Sequence, residues 1–379
     1  GNDLAIALDI WRTINNPVTE DHIVGKIKLT ELDYIDNYND KYYIKNVDRR
    51  RKASINMLEF HNWIKNKVLL KRFNGKANSL FDIACGKGGD LWKWKENGFE
   101  TVLGIDLFDD NITNSSQGPE AGIYRRMLEK NNFLNRYMKY IFLCMDASKK
   151  LDPDTINSLD DIEMRQLAQI LWGLQKPTDG LLLPLYSLAK NGFQVVSCQF
   201  AVHYFFKNRE TLEAFDWNVN ETLVPGGYFI GTCFDGETVA RKLEHQPLRG
   251  SIIREIDRDV TAWAIRRDYD TFSYTNPESN IGKQITVYID SINKQMPEFL
   301  VDFKLLLIVL KQYNIELMSQ DDCIQLGLNQ STSLFEEVYD NVHKDNNKIL
   351  DTSTLNPPIN AVTNMTDVEK ELSFMNRWF

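Results

Sequence analysis

Residues 81–94 read FDIACGKGGDLWKW, and this stretch decides the fold. A short apolar run ends in a cluster of three glycines, Gly86, Gly88 and Gly89, and an amphipathic segment follows directly. Glycine adopts backbone conformations that other residues avoid, and it lets another group approach the chain closely. The cluster therefore predicts a tight turn between a strand and a helix, beneath either a bound ligand or a closely packed helix.

Strand and helix patterns alternate on both sides of this loop. The spacing of apolar residues predicts a helix over 54–73, another near 119–131 and a long helical segment over about 155–190. Five strands are predicted between and after them, at SLFDIAC, TVLGIDL, YIFLCMD, FQVVSCQ and GGYFIGTCF. Strands that alternate with helices form a mostly parallel, doubly wound α/β sheet.

Beyond residue 235 the pattern is less regular. The stretches AWAIRRDYD and KQITVYIDSI are expected to form a hairpin added to the sheet. PEFLVDFKLLLIVLKQY predicts an apolar helix whose first turn holds Pro297 and Glu298. NIELMSQ and the terminal NRWF predict two more strands, and residues 340–366 predict a mobile loop. We expect residues 1–53 to be an arm or linker and residues 54–379 to form one domain.

Composition limits the classes of protein to which the chain can belong. It has 379 residues, 43% apolar and 26% charged, as expected for a globular protein with a sizeable core. The net charge of −9 argues against a general nucleic-acid coat but allows a local basic groove. The five cysteines form no CxxC pair, so we expect reduced thiols, an intracellular protein and no metal site. The chain begins with Gly1, which suggests a fragment of a larger protein.

Acidic residues follow the next two predicted strands. Ligands of parallel sheets bind at the carboxyl ends of the strands, and Asp106 ends the strand after the glycine loop. A carboxylate there suits a ribose diol, and Asp146 in CMDAS is placed for an adenine amino group. The glycine loop fits the G-x-G-x-x-G pattern of dinucleotide-binding proteins poorly, and an acidic surrounding suits a sulfonium cation. The spacing therefore favours S-adenosylmethionine, with helix packing alone as the alternative.

Further polar residues are expected at the same edge. Gln199, His203 and Tyr204 leave the fourth strand there and would place planar groups beside the first ligand. On the helix over 54–73, Asn62 and Lys65 share one face, which is either part of the site or an ordinary solvated face. The basic run at 49–51 is either solvated or an RNA contact.

Taken together, these motifs resemble those of mRNA cap (guanine-N7) methyltransferases. The shared stretches, in the same order over about residues 50–310, are FHNWIK, ACGKGGDLWKW, GIDL, MDAS, CQFAVHYFF, VPGGYFIGT and PEFLVDF. DIWRTINNPVT and VYIDSI are most similar to the C-terminal methyltransferase domain of multifunctional capping enzymes of large cytoplasmic DNA viruses, such as African swine fever virus. The resemblance implies a Rossmann-like class I S-adenosylmethionine-dependent methyltransferase fold. It also implies upstream triphosphatase and guanylyltransferase domains in the same polypeptide, and a location in the host cytoplasm or the virion.

The resemblance further implies two sets of site residues. The first set contacts S-adenosylmethionine, from the methionine carboxylate through the ribose to the adenine: Lys65, Ala84, Gly86, Asp106, Asp146, Gln199 and Tyr204. The second set surrounds the guanosine cap and its phosphates: Asn62, Lys87, Lys93, Arg126, His203, Tyr204 and Glu298. Ala84 stands where the family has glycine, and His61 stands where it has asparagine. For the family's C-terminal cap-stacking tyrosine, Trp378 and Phe379 are the candidates.

The implied reaction is methyl transfer to N7 of the cap guanosine of mRNA, with S-adenosylhomocysteine as the product. N7 carries a lone pair and no proton, so the reaction needs no general base. His203, Tyr204 and Glu298 would act by positioning and electrostatics. From the residues alone two alternatives stay open: an inactive methyltransferase-fold scaffold that binds RNA or a partner subunit, and a nicotinamide-dependent oxidoreductase.

Overall fold

The structure, a computed structural model, describes residues 54–129, 138–257, 260–290, 292–344 and 355–379. The predicted N-terminal arm, residues 1–53, lies outside the described residues. Within the described ranges, no helix is long and apolar enough to cross a membrane.

The strands of the described residues form two sheets. They are β1 Ser79–Ile83, β2 Thr101–Asp106, β3 Lys139–Cys144, β4 Phe193–Gln199, β5 Leu223–Phe234, β6 Ser251–Asp257, β7 Val260–Arg267, β8 Gln284–Ile289, β9 Lys294–Phe299, β10 Ser333–Leu334 and β11 Asn376–Trp378. The larger sheet has the order β10-β11-β5-β4-β1-β2-β3. In it β1 to β5 are parallel, and β11 is antiparallel to both of its neighbours. The predicted α/β class and the terminal strand at NRWF are confirmed.

Helices cover both faces of this sheet, and the parallel strands are apolar on both faces as a result. Leu80 and Val102 belong to the core on one face, and Phe81 and Leu103 to the core on the other. All four side chains are fully buried, as is typical of parallel sheets with helices on each side. The α-helices are α1 Ile55–Trp63, α2 Leu91–Glu96, α3 Asp109–Thr113, α4 Ile123–Leu128, α5 Pro153–Asn157, α6 Ile162–Leu171, α7 Arg209–Thr222, α8 Gly236–Leu243, α9 Phe303–Lys311, α10 Gln320–Gln325, α11 Phe335–His343, α12 Ile359–Asn364 and α13 Asp367–Ser373.

The helix before the glycine loop changes its winding along its length. After α1 it continues as a π-helical segment, Ile64–Leu69, and ends in a 3₁₀ turn, Leu70–Phe73. π-Helical segments are rare and occur frequently at functional sites. Lys65, a predicted site residue, lies in this segment.

The two stretches predicted as a hairpin added to the main sheet belong to a separate sheet instead. Strands β6 to β9 form an antiparallel sheet of four strands in sequence order. The predicted pairing of β7 with β8 is correct, but its predicted position is wrong. The main sheet cannot receive the hairpin beside β5, because β11 pairs there at Thr232 to Phe234.

The predicted helix that starts near Pro297 and Glu298 begins later. Both residues lie in β9, where Glu298 pairs with Ile285 of β8. Because β9 is an edge strand, a proline without an N–H is tolerated there. The helix α9 starts at Phe303, and the side chain of Asp302 caps it by accepting the N–H of Leu305.

Three other predictions are also wrong. The segment 155–190 is not one helix, because glycines and prolines interrupt it after α6 and leave mostly turns up to β4. NIELMSQ forms no strand. Residues 340–366 are not a single loop: α11 extends into this range and α12 lies within it, while residues 345–354 lie outside the described residues.

Candidate active site

The glycine loop lies at the carboxyl end of β1, and its glycines serve two different purposes. Ala84 and Gly86 both have left-handed backbone conformations, with φ of 66° and 54°. A Cβ added to Gly86 would meet no atom within 4 Å, whereas one added to Gly88 would lie 2.5 Å from the side chain of Ile123. Gly88 therefore allows close packing of α4, while Gly86 presents open backbone to the space above the loop.

Asp106 is held in a fixed orientation next to this loop. Its Oδ2 accepts the N–H of Gly86 at 2.8 Å, and its Oδ1 accepts the N–H of Phe108 at 3.0 Å and the amide of Asn111 at 2.8 Å. Burial raises the pKa of Asp106, and these hydrogen bonds oppose the shift. A carboxyl group positioned in this way suits the two hydroxyls of a ribose, as the sequence predicts.

Asp146 and Gln199 lie at the ends of the neighbouring strands. Asp146 follows β3 and accepts both the N–H and the hydroxyl of Ser148, at 3.0 and 2.6 Å. Gln199 ends β4, donates to the hydroxyl of Ser197 at 3.2 Å and accepts that of Thr232 at 3.1 Å. These bonds fix both side chains at the carboxyl edge of the sheet. The predicted contacts of Asp146 and Gln199 with a ligand stay predictions.

A cluster of two lysines and one aspartate joins the π-helical segment to the start of α2. The ammonium groups of Lys65 and Lys93 each lie 2.7 Å from the same oxygen, Oδ1 of Asp90. Burial alone would raise the pKa of Asp90, but the two ammonium groups together hold it well below its usual range. Lys65 also lies over the ring of Phe200, 5.9 Å from its centroid. One carboxylate thus positions both predicted ligand-binding lysines, and the sequence analysis did not single it out.

We expect the Asp90→Asn variant to lose about 3 kcal/mol of unfolding free energy, because two largely buried ammonium groups would face each other without a carboxylate. Urea denaturation measures this loss. Glu96→Gln is the matched control, since Glu96 pairs with Lys67 between the same two helices but is about half exposed. That variant should lose less than about 1 kcal/mol. Equal losses in the two variants would contradict a special role for Asp90.

The other predicted cap-side residues differ in exposure. Lys87 is buried and donates to Oδ2 of Asp110 at 2.8 Å and to the carbonyl of Glu120 at 3.0 Å. Arg126 donates to the carbonyl of Ala121 at 2.9 Å, and Asn62 is exposed. Lys87 holds the loop against the segment before α4 through two of the three donors of its ammonium group. The predicted contacts of these residues with the cap stay predictions.

His203, Tyr204 and Glu298 meet beside the end of β4. The 3₁₀ turn Val202–Lys207 carries the first two, whose ring centroids lie 4.1 Å apart, and β9 brings in Glu298. Nδ1 of His203 and Oε2 of Glu298 lie 3.7 Å apart, and both side chains are buried. Nε2 of His203 and Oε2 of Glu298 have no hydrogen-bond partner among the described residues. Buried polar atoms without partners are rare and mark a place where a ligand can bond.

This pair is neutral rather than ionic. Burial lowers the pKa of His203 to about 3 and raises that of Glu298 to about 8. At 3.7 Å the mutual attraction does not offset the loss of hydration for either charge. Near pH 7 the histidine is therefore unprotonated and the glutamic acid carries its proton.

The raised pKa of Glu298 predicts how stability depends on pH. Between pH 4.5, its usual pKa, and about 8, the folded chain keeps a proton that the unfolded chain releases, so stability falls as the pH rises. The Glu298→Gln variant lacks this dependence, so it should be more stable relative to the parent chain at pH 8 than at pH 5. Urea denaturation at both pH values measures the difference. The same difference at both pH values would contradict the raised pKa.

Two aromatic candidates and one histidine belong to the core instead. Trp378 and Phe379 are only 1% and 8% exposed, and Phe379 packs against Phe229 and Phe303; the stacking of either residue on a cap stays a prediction. His61 is buried, its Nε2 lies 2.9 Å from the hydroxyl of Ser373, and its ring stacks on Phe200. Phe200 has a φ of 54°, a strained conformation for this residue, and sequence patterns give no sign of it.

A cavity of about 550 Å³ lies away from this site. It is lined by the amino half of β5 and by α9, including Tyr228, Leu306 and Leu310. The carboxyl ends of the strands lie at the opposite edge of the sheet, so this cavity is not the predicted ligand site. A second cavity, of about 640 Å³, is lined by Leu107, Phe108 and Cys144 next to Asp106.

Comparison with known proteins agrees with the resemblance. The model of the mRNA (guanine-N(7))-methyltransferase domain matches residues 33–359. A probable mRNA-capping enzyme of Acanthamoeba polyphaga mimivirus is 28% identical over 258 residues, which are 64% of this chain and 20% of that protein. The mRNA cap guanine-N(7) methyltransferase of Drosophila melanogaster is 26% identical over 292 residues, 75% of this chain and 58% of that protein.

The chain thus spans about a fifth of the viral relative and 58% of the fly relative. A solved S-adenosylmethionine-dependent methyltransferase from Clostridium acetobutylicum is 14% identical, with a TM-score of 0.38, over 71% of this chain and 84% of that one. The family model covers most of the sequence. This chain therefore belongs to the mRNA (guanine-N7)-methyltransferase family.

Proposed function

We propose that this chain transfers a methyl group from S-adenosylmethionine to N7 of the guanosine cap of mRNA. The observation that carries the proposal is the buried carboxyl of Glu298, whose Oε2 has no partner among the described residues and lies 3.7 Å from Nδ1 of His203, the ring that contacts Tyr204. One edge of guanine presents two neighbouring donors, N1–H and the N2 amino group. A carboxyl group in a dry site can accept both, and this would select guanine over adenine.

The residues at the carboxyl edge fit S-adenosylmethionine. Gly86 presents open backbone, Asp106 presents an oriented carboxyl for a ribose, and the ammonium of Lys65 suits a carboxylate. When bound, S-adenosylmethionine supplies a methyl group on a positively charged sulfur. The N7 lone pair forms the new bond as the bond from sulfur to methyl breaks, and no proton has to be removed.

The chain's own residues would then act by position and charge. His203, which is buried, and Tyr204, which is partly buried, hold the guanine plane and restrict the access of water to the reaction. Positive charge moves onto the guanine ring during transfer, so a carboxylate at position 298 stabilises the transition state more than the bound substrate. Guanine binding favours the ionised form of Glu298, because the two donors of guanine require two carboxylate oxygens that both accept. Binding is therefore accompanied by release of the proton that the free carboxyl holds.

The test is transfer of a radioactive methyl group to GpppRNA, with ApppRNA as the control substrate. Transfer to GpppRNA alone supports the proposal. A chain that binds S-adenosylhomocysteine but transfers nothing would be the inactive scaffold considered above. The nicotinamide-dependent alternative is not favoured by the family match, and titration with NADH would detect it directly.

The finer predictions concern the protein's context. The proposed partners are capped mRNA and upstream triphosphatase and guanylyltransferase domains of the same polypeptide. The division of the chain is part of the same proposal: residues 54–379 form the methyltransferase domain, and residues 1–53 link it to those upstream domains. The cytoplasmic or virion location also stays a prediction.

A further inference from the structure

Trp92 is an exposed aromatic residue in the first turn of α2. Of the tryptophans within the described ranges, it is the one with an exposed side chain, at 50% of its surface. Because α2 follows β1 and the glycine loop, its first turn lies at the carboxyl edge of the sheet. Trp92 therefore lies at the same edge as the proposed site and next to Lys93 in the chain.

The charge around Trp92 suits a nucleic acid. The ammonium of Lys95 lies over the indole, 5.4 Å from the ring centroid, and α2 also carries Lys93. Lys93 is paired with Asp90, so Lys95 is the cation that this turn sets beside the indole, in a chain whose net charge is −9. Exposed aromatic rings beside cations are typical stacking platforms for single-stranded nucleic acids.

The burial of the residues around Trp92 in α2 fixes the direction of its side chain. Leu91 and Trp94 pack into the core and anchor α2, and Trp94 stacks on Phe142 of β3. Trp92 points away from those anchors and contributes little to the core. A large indole held outward on an anchored helix loses little conformational freedom when a base stacks on it.

We propose that Trp92, with Lys95, binds a base of the RNA beyond the cap dinucleotide, and so favours capped RNA over the bare cap. This inference rests on the proposed function, because it assumes that the cap binds at the carboxyl edge. It goes beyond that function by assigning a contact for an RNA nucleotide that follows the cap dinucleotide.

The experiment compares kcat/KM on GpppG with kcat/KM on a capped oligonucleotide. The Trp92→Ala variant should lose at least about tenfold on the oligonucleotide and little on GpppG, whereas Trp92→Phe should keep most of the activity on both. Tyr186→Ala is the matched control, because Tyr186 is also an exposed aromatic residue, at 37%. It lies toward the opposite edge of the sheet, since the carbonyl of Pro184 in the same segment accepts from Lys139 at the amino end of β3. An equal loss on both substrates, or no loss on the oligonucleotide, would overturn the proposal.

A second readout separates this inference from the proposed function. A capped oligonucleotide that carries 2-aminopurine beyond the cap dinucleotide should lose fluorescence on binding to the parent chain and to Trp92→Phe. It should keep its fluorescence with Trp92→Ala. If the parent chain methylates neither substrate, the proposed function fails, and the fluorescence still decides whether Trp92 stacks on a base. Equal quenching by the parent chain and Trp92→Ala would overturn the inference alone.

Discussion

Replacing Glu298 by alanine is expected to lower kcat/KM for cap methylation by about 100- to 1,000-fold, the loss typical of removing one preorganised electrostatic group. Oε2 of Glu298 is buried and has no hydrogen-bond partner in the ranges that the structure describes, so little of its bonding capacity serves the fold. Turnover should therefore fall far more than stability does. Initial rates on capped RNA, together with urea denaturation, measure both effects.

A buried acid elsewhere in the chain provides the control. Asp216 on α7 is 1% exposed, both of its oxygens lack hydrogen-bond partners within the described part of the chain, and burial raises its pKa to about 8. The Asp216→Asn variant should alter the pH dependence of stability and leave kcat/KM unchanged. If Glu298→Ala kept near-normal turnover, or if both variants lost activity equally, Glu298 would not be the group that recognises guanine.

Replacing Asp106 by alanine is expected to weaken binding of S-adenosylmethionine by about 100-fold or more. The reason is that the proposed ribose contact would lose two charge-assisted hydrogen bonds, each contributing about 1.5–3 kcal/mol. The replacement also leaves the N–H of Gly86 without its acceptor. Calorimetric titration with S-adenosylhomocysteine measures the loss without depending on turnover.

The orientation of Asp106 can be tested separately. The amide of Asn111 donates to Oδ1 of Asp106, so Asn111→Ala keeps the carboxyl and removes one bond that fixes it. An intermediate loss of about tenfold is expected, which corresponds to one hydrogen bond. Unchanged affinity in Asp106→Ala would remove the ribose contact from the proposal.

The main sheet could be predicted from sequence because its strands carry continuous apolar runs between glycine and asparagine turns. The same reasoning failed where tertiary pairing overrides local pattern. PEFLVDF reads as a helix start, but Glu298 is held in β9 by pairing with β8, a contact that the local sequence cannot reveal. The separate position of the second sheet depends on β11, which begins 77 residues after the end of β9 in the chain.

In the candidate site, sequence predicted where the residues near the proposed S-adenosylmethionine position lie, but not which side chains pair with one another. The positions of Gly86 and Asp106 follow from the order of strands and loops, and the structure places the two in direct contact. Asp90 escaped notice because its importance lies in two lysines from different elements converging on it. The burial of Lys87 was also unpredictable, because its partner Asp110 lies beyond the next strand.

The carboxylate shared by Lys65 and Lys93 has a consequence for how the two substrates affect each other. Two ammonium groups and one carboxylate leave this cluster with one surplus positive charge. If the donor's carboxylate binds at Lys65 and a cap phosphate at Lys93, whichever anion arrives first neutralises that surplus and reduces the attraction for the second. Such antagonism is reciprocal by thermodynamic necessity. It would raise the dissociation rates of both products. Asp90, which positions the two lysines, would therefore also favour product release.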